Sequence, residues 1–190
     1  QNSKIKLNDI NVNQTRNGIL IALEKMNAKI AYTNKRKINN EEVFDIEVET
    51  SDLYGCELDA NIAKLMIDEY PILSIAASFA NSPSVFRGLS ELRVKESDRL
   101  ELIKINLLKC GVKCEVKEDD LFIYPSNKSQ IIDGKITTNY DHRIAMAFAV
   151  LGTKIGPLKI CDSESIKTSF PTFVSEFNSI GGKVFWKKIN

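Results

Sequence analysis

The chain has 190 residues, 43% of them hydrophobic and 27% charged, with 9 glycines and 5 prolines. This makeup excludes long disorder and supports one domain with a sizeable core. Its 26 Lys and Arg against 25 Asp and Glu leave a formal charge of +1, so the whole molecule exerts little pull on nucleic acid or membrane, and any anion site must arise from local clustering.

Residues 4–10 alternate as a strand, and Thr15 to Asn27 carry Ile19, Leu20, Leu23 and Met26 at helical spacing. Lys29 to Lys35 and Val43 to Glu49 predict a hairpin across a turn at Lys37 to Glu41. Cys56 to Ile62 reads as a weak strand. Asp68-Glu-Tyr-Pro71 then opens a helix through Ala80, with Pro71 near a first helical position. Ser84 to Leu89 is expected as a strand, Ser97 to Cys110 as a helix, and residues 113–117 with 121–124 as a second hairpin. The remainder predicts a strand at 135–138, a helix at 141–151, a strand at 158–161, a helix at 170–180 and a last strand at 183–186.

The order strand, helix, strand, helix, hairpin recurs, with a lysine after each helix-to-strand junction at Lys29, Lys113 and Lys183. Approximate repeats are 1–52, 53–128 and 129–190, and the first lacks its opening strand and helix. That incompleteness, and an opening Gln1 in place of methionine, predict a piece of a longer protein. The runs Ile72 to Ala80 and Ile144 to Leu151 are apolar nearly all round, whereas Lys113-Cys-Glu-Val-Lys117 alternates. Buried helices with sheets outside follow, an α/β fold that inverts the usual layering.

Cys56, Cys110, Cys114 and Cys161 contain no Cys-x-x-Cys pair, and His142 is the single histidine, which argues against zinc. With no signal-like segment and no apolar run of bilayer length, the thiols are read as reduced and the location as cytoplasmic.

The densest cluster of charge is Glu91-Leu-Arg-Val-Lys-Glu-Ser-Asp-Arg-Leu100. One reading is a solvated loop with Ser97 as the cap of the next helix and acids complementing its dipole. The other helix starts carry Asp68, His142 with Arg143, and Lys167. Cations at helix N-termini oppose the dipole, so a second reading has an anion, phosphate or carboxylate, offsetting them at one shared end of the domain.

Four segments in order carry a resemblance: Ile67-Asp-Glu-Tyr-Pro71, Leu92-Arg-Val-Lys-Glu-Ser-Asp-Arg-Leu100, Asn139-Tyr-Asp-His-Arg-Ile-Ala-Met-Ala147 and Ile166-Lys-Thr-Ser-Phe-Pro171. They resemble the 5-enolpyruvylshikimate-3-phosphate synthase family, across this whole chain but only the C-terminal part of a family member. The resemblance implies repeated β-α-β-α-β-β units with buried parallel helices and outward sheets, an inside-out barrel, here most of one domain of two. It implies transfer of the carboxyvinyl group of phosphoenolpyruvate to the 5-hydroxyl of shikimate 3-phosphate, in the shikimate pathway of aromatic amino acid biosynthesis. No metal or organic cofactor, nucleic acid or membrane is implied, the full-length protein would be a monomer, and glyphosate inhibits the family. By matching positions, Asp68 and Glu96 are similar to the family's two acids. Lys95 resembles a contact to the shikimate phosphate, and Arg99, Arg143 and Lys167 resemble cations that hold phosphoenolpyruvate. His142 resembles an active-site histidine. The rest of the site would come from the missing domain, leaving this chain inactive alone. Enolpyruvyl transfer to a UDP-sugar and a non-catalytic anion-binding domain are the competing readings.

Overall fold

A run of alternating Lys, Glu and aliphatic residues opens the chain, and in the computed structural model, which describes residues 3–125 and 132–187, it pairs into a first antiparallel sheet. Strands β1 (Lys4–Asn11) and β2 (Lys29–Ile38) flank β3 (Glu41–Glu49). A two-residue turn, Asn39 and Asn40 with φ of 50° and 66°, joins β2 to β3, as the right-handed strand twist prefers. Both outer strands slip register, between Leu7 and Ile10 and between Thr33 and Arg36, where they pass Asp45 of β3. Asp45 is 5% exposed. It accepts from Asp9 N at 3.3 Å, Asn34 Nδ2 at 2.8 Å and an Arg36 guanidinium N–H at 2.7 Å, and lies 3.2 Å from Lys6 Nζ. Those bonds, with the Asn34 amide foremost, hold its pKa far below the usual carboxylate range. Asp9 and Asn34 take positive φ to form the bulges, a conformation these two residue types tolerate.

Helix α1 (Gly18–Lys25) packs on α2 (Ala60–Met66) through Gly18, where a Cβ would lie 2.8 Å from Met66. A second sheet has the order β4 (Glu57–Leu58), β5 (Ser84–Phe86), β7 (Asp120–Tyr124), β6 (Lys113–Lys117); β4 and β5 are parallel and the other pairs antiparallel. The crossover from β4 to β5 carries α2, a 3₁₀ turn at Ile67–Glu69 and α3 (Tyr70–Ala77). Helix α4 (Arg99–Lys109) leads into β6. A short parallel pair, β8 (Lys135–Ile136) and β9 (Lys159–Ile160), is bridged by α5 (His142–Ile155). Helices α3 and α5 lie against each other in the core: α3 buries Tyr70, Leu73, Ile75 and Ala77, and α5 buries Ile144, Ala147, Phe148 and Leu151. The architecture is α/β. All four cysteines are unpaired, and among the described residues no helix is long and apolar enough to cross a membrane.

Four expectations change. Only Glu57 and Leu58 of 56–62 form strand, because Asp59 caps α2, its Oδ1 accepting from Asn61 N at 2.7 Å. Helix α4 starts at Arg99 with Asp98 as its cap, Oδ1 accepting from Glu101 N at 2.9 Å; Ser97 is not the cap. The helix expected at 170–180 starts later, as α7 (Phe173–Ser179), and a short unexpected helix, α6 (Ile166–Ser169), precedes it. Pro171 excludes Phe170 from helical angles, leaving it at φ −145°, ψ 76°. Residues 183–186 join no sheet. The Asn178 amide occupies both backbone groups of Val184, donating to its O at 2.7 Å and accepting from its N at 2.8 Å.

Phe148 is wholly buried and Ile180 is 79% exposed, so truncating each separates core from surface. Phe148→Ala is expected to lower the urea-unfolding free energy of the chain by about 3–5 kcal/mol. Ile180→Ala is expected to change it by less than about 0.5 kcal/mol.

Candidate functional site

Arg99 is the first residue of α4 and its side chain is 0% exposed. A buried guanidinium needs carboxylates around it, and its planar fork of N–H groups sets where they stand. Nε donates to Asp141 Oδ2 at 2.8 Å and one terminal nitrogen donates to Asp68 Oδ1 at 2.8 Å. The other terminal nitrogen bonds Glu96 Oε2. Burial pulls the Arg99 pKa down, but Asp141, Glu96 and Asp68 outweigh it and the pKa rises.

Each carboxylate comes from a different stretch. Asp68 sits in the 3₁₀ turn that feeds α3, Glu96 in the loop before α4, and Asp141 is the cap of α5. Asp141 Oδ1 accepts from Arg143 N at 2.9 Å and Ile144 N at 3.3 Å, while Oδ2 accepts from Ser97 Oγ at 2.9 Å as well as from Arg99. The starts of α3, α4 and α5 are thereby gathered around one guanidinium.

Two further cations stand at the rim. Lys95 Nζ is 2.6 Å from Glu91 and 3.8 Å from Asp68 Oδ1. Arg143 donates to the Asp68 carbonyl at 3.2 Å and lies 3.7 Å from its carboxylate and 3.6 Å from Glu69. Burial pushes the Asp68 pKa up, but Arg143, Arg99 and Lys95 together hold it below the ordinary value. Beside them opens a groove of about 220 Å³ lined by Asp68, Arg143, Ile72, Met146, Val150 and Phe173. It offers an ionised edge and an apolar floor.

Of the residues singled out in the sequence, Asp68, Lys95, Glu96, Arg99 and Arg143 are brought together, and half-buried His142 opens α5 next to Arg143. Lys167 on α6 forms no ion pair with these residues, and its Nζ lies 4.6 Å from the centre of the Trp186 ring. Arg99 and Arg143 at helix starts are balanced by the chain's own acids, so their position alone does not require an external anion. Asp141, Ser97 and Glu69 also belong to the cluster. Asp141 had a visible signal, an Asp at the first position of the helix predicted over 141–151. Among the described residues, no group of three or more His, Cys, Asp or Glu is arranged to hold a metal ion.

The family profile of EPSP synthase (3-phosphoshikimate 1-carboxyvinyltransferase) matches residues 1–177. Curated proteins named 3-phosphoshikimate 1-carboxyvinyltransferase from Paramagnetospirillum magneticum and Rhizobium johnstonii are 42% identical over 185 residues and 41% over 187. Those matches take in 97% and 96% of this chain, which spans only 42% and 41% of the length of those relatives. A solved EPSP synthase structure from Acinetobacter baumannii superposes with a TM-score of 0.89 at 35% identity, over 96% of this chain and 43% of that one. The enolpyruvyl transferase NikO from Streptomyces tendae matches with a TM-score of 0.66 at 14% identity over 95% of this chain and 39% of its own, a likeness of fold alone.

Replacing Arg99 by methionine keeps its bulk and leaves its carboxylates without a counter-ion. At pH 7 Arg99→Met is expected to cost about 3–5 kcal/mol in urea unfolding, most of it from buried Asp141. The folded pKa of Asp68 is depressed, so its share of stability is present above the unfolded carboxylate pKa and is lost as pH falls through the folded value. The gap between the two proteins is therefore expected to narrow as the pH drops below about 4. A constant gap from pH 7 to pH 3 would contradict this account.

Proposed function

Because the chain belongs to the EPSP synthase (3-phosphoshikimate 1-carboxyvinyltransferase) family, we propose that it supplies part of the active site that transfers the carboxyvinyl group of phosphoenolpyruvate to the 5-hydroxyl of shikimate 3-phosphate, releasing phosphate. The observation that supports this most is the convergence of Asp68 and Glu96 on Arg99 beside an open groove. Addition followed by elimination requires a base for the hydroxyl proton and an acid that protonates the methylene carbon, with both transfers reversed in the second step. Asp68, held ionised by three cations, suits the hydroxyl side. Glu96 is half exposed and anchored through one oxygen, so it suits the methylene carbon.

Lys95 then faces the shikimate phosphate, while Arg143 and Lys167 hold phosphoenolpyruvate, with His142 alongside. Arg99 enters as a substrate contact only by exchanging a carboxylate partner for the substrate's anion. No cofactor takes part in this scheme.

The same reading extends to architecture. Units 1–52, 53–128 and 129–190 are repeats of one β-α-β-α-β-β pattern in an inside-out barrel, and two likenesses support this. The order β1-β3-β2 reproduces β5-β7-β6, and the parallel pair β4 and β5 is echoed by β8 and β9. The partner is the remainder of the family length, which brings the other half of the cleft in a cytoplasmic, monomeric enzyme. The 190 residues alone are expected to be inactive.

The test mixes the chain with the segment of the P. magneticum relative that it does not match and follows phosphate release from both substrates. Turnover only in the mixture is expected; none in the mixture would remove the assignment. Glu96→Gln is expected to lower that turnover by about 10²–10⁴-fold with far smaller changes in substrate binding. Unchanged turnover would take Glu96 out of the chemistry.

A further inference from the structure

We propose that Asp141 is a positioning residue: its buried carboxylate fixes the orientation of the Arg99 guanidinium and thereby the places of the Asp68 carboxylate, at the rim of the groove, and of the Glu96 carboxylate on the same guanidinium. This rests on the reaction proposed above for its kinetic consequence, though not for its geometry.

Capping α5 does not account for Asp141. A cap needs one oxygen, and Asp98 performs that task on α4 with a side chain 43% exposed. Asp141 is 0% exposed and uses both oxygens, Oδ1 for the helix and Oδ2 for Arg99 Nε and Ser97 Oγ. Its backbone is held as well, the N–H donating to Thr138 O at 3.0 Å, while Thr138 Oγ1 donates to the carbonyls of Cys161 and Asp162. The carboxylate is therefore a reference point held between α5 and the segment that follows β9. Arg99 is fixed at one end by the first turn of α4 and at Nε by this carboxylate. With the side chain tethered at its base and its in-plane Nε–H directed at Asp141 Oδ2, rotation of the guanidinium is restricted, and the two terminal nitrogens point one to Asp68 and one to Glu96. Without the Nε partner, Arg99 keeps only carboxylates that are themselves partly exposed, 25% and 51%, and that do not set its orientation. Asp141 is not among the residues that line the groove.

Asp141→Ser separates the two tasks, because serine is a good helix cap and is too short to reach the Arg99 Nε. Asp141→Asn is the second variant: its single oxygen serves either the helix or Arg99, not both. Asp98→Ala is the control, since that carboxylate bonds Glu101 N and Arg93. The first readout needs no reaction: carboxyl ¹³C titration of Asp68 in the 190-residue chain, where Lys95, Arg99, Arg143 and Glu69 are the charged groups around it. Both Asp141 variants are expected to move the Asp68 midpoint upward, with Asp98→Ala leaving it in place. A midpoint that is unmoved or lowered in a folded Asp141 variant overturns the proposal.

The second readout uses the reconstituted mixture. Asp141→Ser is expected to lower kcat by about 10²-fold, in the range of a small misplacement of reacting groups, and to move the acidic limb of the kcat profile upward while KM for both substrates changes little. Loss confined to KM, or no loss, overturns the kinetic part. If the unsubstituted mixture releases no phosphate, the reaction assignment fails and the titration still decides the positioning role.

Discussion

A guanidinium with no access to water is the constraint around which this chain is arranged. Arg99 cannot be desolvated without carboxylates in the plane of its fork, and those carboxylates arrive from the turn before α3, the loop before α4 and the cap of α5. Two of them, Asp68 and Glu96, keep part of their surface exposed, Asp68 at the rim of the groove, whereas Asp141 is wholly enclosed. Removal of charge from water, helix capping and placement of the reactive acids are thus one network.

That network explains why helix starts gather here. Helices α3 and α5 are apolar on most sides and pack together, which leaves their polar groups only the ends to occupy. At the N-terminal ends the free backbone N–H groups call for acids and the core boundary leaves little room for water. Cations such as Arg99 and Arg143 sit at these ends against the dipole because Asp68, Glu69, Glu96 and Asp141 surround them.

Much of this was legible in the sequence where one residue carries its own local signal. Pro71 after two acids, the all-apolar faces of α3 and α5, and the alternation in β6 and β7 each state their structure within a few residues. Asp68, Lys95, Glu96, Arg99 and Arg143 were legible as a set because each stands at or just before a helix start. What was not legible depends on partners distant in sequence. Ser97 looks like a cap until Asp141 draws its hydroxyl away across 44 residues. Residues 183–186 have strand-like alternation, but the amide of Asn178 takes the Val184 groups that a neighbouring strand would have used. The later start of α7 follows from Pro171, a residue plain in the sequence, whereas the single turn of α6 before it is too short for periodicity to announce. Lys167 shares the charge pattern of the other starts and lies over Trp186, a contact between two segments that no spacing announces.

The buried Asp45 of the first sheet has a consequence of another kind. It lies on the central strand, and its bonds to Asp9, Asn34 and Arg36 buckle β1 and β2, the two outer strands of that sheet. A foreign strand adds most readily to a long, flat, regular edge, and each of these edges is interrupted near its middle. One carboxylate in the interior of the sheet thus blunts both margins against self-association, guarding solubility from a position that never meets another molecule.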